Sequence, residues 1–327
     1  MDGCASRDTF NQIRMNILHV NFDDTGGAAI ASKDLHEALI KEGIDSNYLT
    51  LNLTEQYSKE RNYFSHRRIY KLFFEKLYYL YFKAWLVTTR NSKILKQGTP
   101  ANDTMSTPYS CFDITKDPLY KNADIIHFHW TARFLDWPTF FKKNKKPVIW
   151  TLHDRNPFSG ISHCKTDFPS GAKAIEAEIV NKKKNWIKNS NITVISPSTE
   201  YKTACIESPI FEHCNKKVIA HGVPSDIFFP IEKNDVRIKH GLPTDKKIVL
   251  SVASDINRKL KGFKEIIATA KKMPDIIFIL VGTKSKQIEE VSNIIYTGQI
   301  NHRSILNEWY NCADVTISNS EEESFGL

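Results

Sequence analysis

The chain has 327 residues, 41% of them hydrophobic and 25% charged, with a formal net charge of +8. That length supports a sizeable core and two domains, and the ordinary composition excludes collagenous, disordered and disulfide-scaffold classes. The positive charge points to an anionic partner without choosing among phosphorylated ligands, acidic lipid headgroups and nucleic acid.

Residues 1–14 are polar and carry no secretory pattern, so they read as a disordered leader, with Met15 opening the first regular segment. "NILHVN" (Asn16–Asn21) is a strand, followed by a helix-period segment from "TGGAA" (Thr25–Ala29) to Gly43. "SNYLTLN" (Ser46–Asn52) is the next strand. Residues 57–120 break the rhythm and read as an insertion with one long helix. Its most apolar stretch, "IYKLFFEKLYYLYFKAWLV" (Ile69–Val87), holds Lys71, Glu75, Lys76 and Lys83, which argue against a membrane span. It suits a helix with its aromatic face in the core, or one lying on a membrane surface.

The rhythm resumes with "ADIIHFHW" (Ala123–Trp130), "PVIWTLHD" (Pro147–Asp154), "NITVISPS" (Asn191–Ser198) and "KKVIAHGV" (Lys216–Val223). Continuous apolar runs of this kind belong to parallel sheets covered by helices on both faces. After the Pro-bounded "PSDIFFP" comes a second series: "KIVLSVAS" (Lys247–Ser254), "IIFILVG" (Ile276–Gly282), "IIYTG" (Ile294–Gly298) and "DVTISNS" (Asp314–Ser320). Helices over Gly262–Met273 and His302–Ala313 separate its members. The fold class is therefore α/β, with two Rossmann-like doubly wound domains: residues 15–225, and residues 226–327 with the second domain incomplete. Ligands bind at the carboxyl ends of such strands, which puts the expected site in a cleft between the domains.

Polar groups collect at those ends. Gly26 and Gly27 let backbone N–H groups approach a phosphate or sugar, although the pattern is not G-x-G-x-x-G and glycine turns before helices are common. That spacing also argues against a nicotinamide enzyme. His129, His153 and Asp154 end two strands and are candidates for hydrogen bonds to a sugar or acceptor, with His127 read as a satisfied core histidine. Arg258, Lys259 and Lys261 precede a glycine that opens a helix. They form either a diphosphate site or a solvated basic turn. "EEESFGL" offers a carboxylate for sugar hydroxyls and exposed N–H groups, or else a solvated acidic patch. The six cysteines show neither C-x-x-C pairing nor zinc spacing, as fits a reducing, cytoplasmic compartment.

The ordered series "NILHVN…TGGAA", "DIIHFHW", "KPVIWTLHD", "VISPS", "HGVPSDIFFP", "KGFKEI", "ILVG", "YNCADVTISNS" and "EEESFGL" resembles nucleotide-sugar glycosyltransferases of the GT-B fold. It looks most like glycosyltransferase family 4 of surface-polysaccharide synthesis, over nearly the whole chain. The resemblance implies a retaining transferase that needs no metal or other cofactor. It would move a sugar from a nucleotide-sugar donor to a saccharide or lipid-linked acceptor, with peripheral contact to the inner face of a membrane and no nucleic-acid partner. It implies that Lys261 and Arg258 (or Lys259) contact the donor diphosphate and that His153 lies beside the transferred sugar. Gly26 and Gly27 would face the donor phosphate or the acceptor. Glu323 matches the first glutamate of the family's E-x7-E motif and would bind donor-sugar hydroxyls, with the Phe325 and Gly326 amides facing sugar and phosphate. The motif's second glutamate would fall beyond Leu327, so the resemblance implies a truncated chain, either active or a catalytically inactive remnant.

Overall fold

The computed structural model describes residues 15–51, 82–98, 105–165, 170–285 and 287–326. The leader, most of the Ile69–Val87 stretch and Leu327 lie outside them. The chain forms two compact units, Met1–Ala220 and His221–Leu327.

The first unit is built on a six-stranded sheet of order β2-β1-β3-β4-β5-β6. The strands are β1 (Asn16–Asn21), β2 (Asp45–Thr50), β3 (Ile125–Phe128), β4 (Val148–Thr151), β5 (Ile192–Ser196) and β6 (Asn215–Val218), and every pairing is parallel. Parallel neighbours require crossovers. These are α1 (Gly26–Lys41), α2 (Ala84–Gly98), α3 (Pro118–Asn122), α4 (Trp137–Lys143), α5 (Ser170–Ile187) and α6 (Thr199–Ile206). Asp117, Asp136 and Ser198 start α3, α4 and α6 by accepting hydrogen bonds from first-turn amides, and Pro sits in the first turn of α3 and α4. One core spans the sheet and its helices, with Leu18, Val20, Phe128, Trp150 and Val194 wholly or almost wholly buried.

The described part of the expected insertion is built into this unit. Met105 bridges to Ser162, Ile114 and Tyr120 join the main core, and Val87, Ile94 and Leu95 of α2 pack on Met105, Tyr109, Ile161 and Ile179. Phe82, Trp85 and Leu86 point outward, so this end of the aromatic stretch does not bury its rings as a core helix would. No described helix is long and apolar enough to cross a membrane.

The second unit has a four-stranded parallel sheet of order β10-β7-β8-β9: β7 (Ile248–Asp255), β8 (Ile277–Thr283), β9 (Ile294–Gly298) and β10 (Val315–Thr316). Its helices are α7 (Lys233–Lys239), α8 (Phe263–Lys272) and α9 (Arg303–Cys312). Hydrophobic clusters cover both faces, one around Leu250, Ile279 and Cys312 and one around Phe263, Ile266 and Leu280. Both units are thus Rossmann-like, the architecture of the GT-B fold.

Candidate active site

Strand order gives a candidate ligand position in each unit. From β1 the chain passes to β2 on one side and to β3 and beyond on the other. From β7 it passes to β8 and β9 on one side and returns at β10 on the other. Ligands of open α/β sheets bind outside the carboxyl ends of strands at such reversals. The relevant loops therefore follow β1 and β3 in the first unit, and β7 and β10 in the second.

In the first unit, the loops after β1 and β3 are stitched together. Phe22 N donates to Trp130 O at 2.7 Å, and Trp130 N donates to Asn21 Oδ1 at 2.8 Å. Gly26 has φ of +82°, a region that favours glycine, and a Cβ on Gly26 or Gly27 would meet open space. Thr25 supplies no side-chain cap to α1 and the first turn holds no acidic residue, so nothing from those positions competes with an anion there.

Beside this loop runs a line of histidines. His19 of β1 and His127 of β3 are register partners. His19 Nδ1 lies 3.0 Å from His129 Nε2, and His129 Nδ1 lies 3.1 Å from His153 Nε2. His127 Nε2 lies 2.8 Å from Thr151 Oγ1. Burial pulls the His127 pKa down to about 3, and burial, then the neighbouring His127 and His36, holds that of His19 well below the ordinary value, so both rings are neutral. His129, expected at the rim, is instead 3% exposed inside this line. Its strand ends at Phe128, and its side chain turns back between His19 and His153. His153 is half-buried after β4.

Asp154 is already engaged by the protein. It accepts from Asn156 N at 2.9 Å and Trp130 Nε1 at 2.5 Å, and it lies 2.5 Å from His163 Nδ1. His163 Nε2 continues to Ser106 Oγ at 2.9 Å. Ser106 is buried, so this serine–histidine–aspartate line braces the turn after β4 and offers no accessible nucleophile. Asp154, an acceptor-side candidate in the sequence, thus also holds Trp130 and His163.

Among the described residues, the one group able to gather metal ligands is His19, His127 and His129, whose nitrogens fall within 4.8 Å of one another. Both His129 nitrogens and one of His127 are already hydrogen-bonded. A cation held by all three rings would have to displace one of the two His129 hydrogen bonds.

In the second unit, Arg258 begins a tight 3-10 turn over Lys259–Lys261, which ends at Gly262 with φ of +65°. A Cβ on Gly262 would fall 2.1 Å from Asn319 O, so glycine is required here both by dihedral and by contact. The loop after β10 folds over this turn: Asn319 Nδ2 donates to Gly262 O at 3.3 Å, and Glu321 N donates to Leu260 O at 2.9 Å. Lys261 Nζ meets Glu323 Oε1 at 2.5 Å. Arg258 and Lys259 are exposed, with no ion-pair partner among the described residues. The Phe325 ring stands edge-on to His221 with centroids 5.3 Å apart, and Gly326 has φ of +84°. Lys261 and Glu323 are thus brought together, with Arg258 and Lys259 on the same turn.

Residues that escape a sequence reading are His19, His163, Asn319 and His221. His19 sits inside an apolar strand, and only its pairing with His127 reveals its role. The "SHC" and "SNS" stretches carry no distinctive spacing.

No protein-family model matches the chain, and no curated protein matches it. Solved structures do. The chain is similar to sucrose-phosphate synthase from Thermosynechococcus elongatus at 18% identity and a TM-score of 0.60, over 96% of this chain and 77% of that one. It is similar to a glycosyltransferase from Rickettsia africae at 17% identity and a TM-score of 0.56, over 96% and 75%. HepE from Anabaena, in complex with UDP and glucose, aligns at 14% identity and a TM-score of 0.53, over 94% and 74%. At these identities the likeness concerns the fold.

Proposed function

We propose that the protein is a glycosyltransferase that takes a sugar from a nucleotide-sugar donor and passes it, with retention, to a saccharide or lipid-linked acceptor. The approach of Lys261 to Glu323 at the β7/β10 reversal carries the proposal, because it sets a cation and a sugar-hydroxyl acceptor side by side where a Rossmann-like sheet binds its ligand. The GT-B-type fold, and the UDP and glucose bound by one structural neighbour, support the same reading.

In this mechanism Lys261, with Arg258 or Lys259, neutralises the donor diphosphate as its charge grows on departure. The α8 N-terminus behind Gly262 adds backbone dipoles. Glu323 accepts hydrogen bonds from donor-sugar hydroxyls, while the Phe325 and Gly326 amides lie along sugar and phosphate. Within the first unit, Gly26, Gly27 and His153 are the residues we propose for contact with a phosphate or sugar at the carboxyl edge of that unit's own sheet. The acceptor hydroxyl attacks the oxocarbenium-like carbon on the face the diphosphate leaves and gives its proton to that leaving group. The protein's task is then positioning and charge stabilisation, with neither a strong base nor a metal required. A panel of UDP-, GDP- and ADP-linked sugars, titrated in the presence of EDTA, tests this. Saturable binding of one donor that weakens in Lys261→Ala supports the proposal, and no binding by any donor refutes it.

A further inference from the structure

Among the described residues, Arg133 is the one non-glycine residue with positive φ, at +66°. It is the third residue of the turn Thr131–Phe134, a position where positive φ makes glycine or asparagine the easy choice. The flanking chain imposes the conformation. Thr131 O accepts from Phe134 N at 3.1 Å and from Leu135 N at 3.0 Å, and Thr131, Phe134 and Leu135 are all buried. Phe134 also meets Phe112 edge-on, with ring centroids 5.8 Å apart. The Arg133 side chain takes no part in this anchoring. It is exposed, and no hydrogen bond, ion pair or ring contact among the described residues involves it. A strained conformation that the surroundings enforce, at a side chain that packs on nothing, points to a role outside folding.

The turn lies between β3 and α4, on the loop at the carboxyl edge of the first sheet where strand order reverses. The carboxylates of this loop and the next are consumed by the protein. Asp136 Oδ1 accepts from Ser110 N at 2.9 Å and Asp136 Oδ2 from Thr139 N at 3.3 Å, while Asp154 is held by Trp130, Asn156 and His163. The guanidinium therefore faces solvent with no internal counter-ion, and its planar fork of donors matches a phosphate. We propose that Arg133 is an anion-binding residue of the first unit that takes a phosphate group of the acceptor. The donor diphosphate has its own proposed cations in the second unit, so the phosphate at Arg133 belongs to the other substrate, as in a sugar joined to its lipid through phosphate. That assignment to the acceptor rests on the proposed transferase function; anion binding by Arg133 does not.

The test titrates inorganic pyrophosphate and geranyl diphosphate into the full-length chain carrying Arg258→Ala, Lys259→Ala and Lys261→Ala, which silence the second unit's cations. Arg133→Gln, added to this parent, removes the charge and keeps the strain, whereas Arg133→Gly removes both. Both substitutions are expected to weaken binding about tenfold, the equivalent of one charge-assisted hydrogen bond. Arg133→Gly is also expected to melt at or above the parent's midpoint, because glycine relieves the turn. Tighter binding of geranyl diphosphate than of pyrophosphate assigns the phosphate to a lipid carrier, and equal binding assigns recognition to the phosphate alone; either supports the proposal. Failure of both probes to bind, affinity that survives in either variant, or an Arg133→Gly protein that melts below its parent overturns it. If the probes bind through Arg133 yet no nucleotide sugar binds the wild type, the transferase reading fails and the anion site stands.

Discussion

Lys261 and Glu323 are 62 positions apart in sequence, yet their side chains meet at 2.5 Å. Both are partly exposed, at 26% and 34%, so the pair contributes little to folding, on the order of 0–1 kcal/mol. Under the proposed function its role is to hold Lys261, in the absence of ligand, at the place the diphosphate would occupy. Lys261→Ala should lower turnover by roughly 2–4 kcal/mol of transition-state stabilisation, about 30- to 1,000-fold, while shifting the unfolding midpoint only slightly. Glu323→Gln should weaken donor-sugar recognition more than it weakens binding of the free nucleotide. Steady-state kinetics with calorimetric melting separates these effects.

Gly262→Ala is expected to damage the same site through the backbone. Alanine at φ of +65° is strained, and its Cβ would fall 2.1 Å from Asn319 O. The turn or the loop after β10 has to move, at a cost above about 1 kcal/mol. Donor affinity should fall although every charged side chain is retained. Equal donor affinity in Gly262→Ala would show that this turn does not hold the donor.

Asp314 is the structural counterpart to these residues. It pairs with buried Arg237 at 2.7 Å and with Lys233 at 3.0 Å, and it accepts from Ile248 N at 2.8 Å. Partial burial pushes its pKa up, but the Ile248 amide, Lys233 and Arg237 together hold it well below the usual carboxylate range. The folded pKa is below the unfolded one. The stabilisation is therefore fully present above the unfolded pKa of about 3.9 and is lost as pH falls toward the folded value. Asp314→Ala should strand the Arg237 guanidinium and cost about 3–5 kcal/mol at neutral pH. The gap from wild type should narrow below about pH 4. Denaturant unfolding at several pH values checks both the size and the sign.

The first unit should also lose stability in mild acid, for a different reason. Burial holds His127 neutral down to about pH 3, whereas the unfolded chain protonates it near 6.5. Between those values the unfolded state binds more protons, so stability falls as pH falls, by about 1.4 kcal/mol per unit below the upper limit. His127→Gln should flatten that dependence, and urea midpoints at pH 7 and pH 5 would show it.

Most of the strands were readable because they lie in short apolar runs; β6 (Asn215–Val218) is the exception, mostly polar and exposed. β1 and β9 coincide with the runs "NILHVN" and "IIYTG". β10 is only Val315–Thr316, shorter than the "DVTISNS" run, because the chain beyond it turns to cover Gly262. The cations before Gly262 and the glutamate after β10 were also legible, since glycine at a strand-to-helix turn and charge after a strand have local signatures. The histidine line was legible only at its outer end. Which face a strand histidine takes, and which ring it meets, depends on the register of β1 with β3 and on where β3 ends. The protein partners of Asp154 were not legible for a similar reason: Trp130 and His163 come from other loops, and no spacing in the sequence announces them.

The central claim is that the turn after β7 and the loop after β10 together bind the diphosphate and sugar of a nucleotide sugar. Its most direct test is calorimetric titration of the donor panel into wild type, Lys261→Ala and Arg258→Ala, all in EDTA. The account predicts saturable binding of one donor by the wild type, weakened at least about tenfold in Lys261→Ala, the equivalent of one charge-assisted hydrogen bond. Donor binding that neither substitution weakens would contradict it.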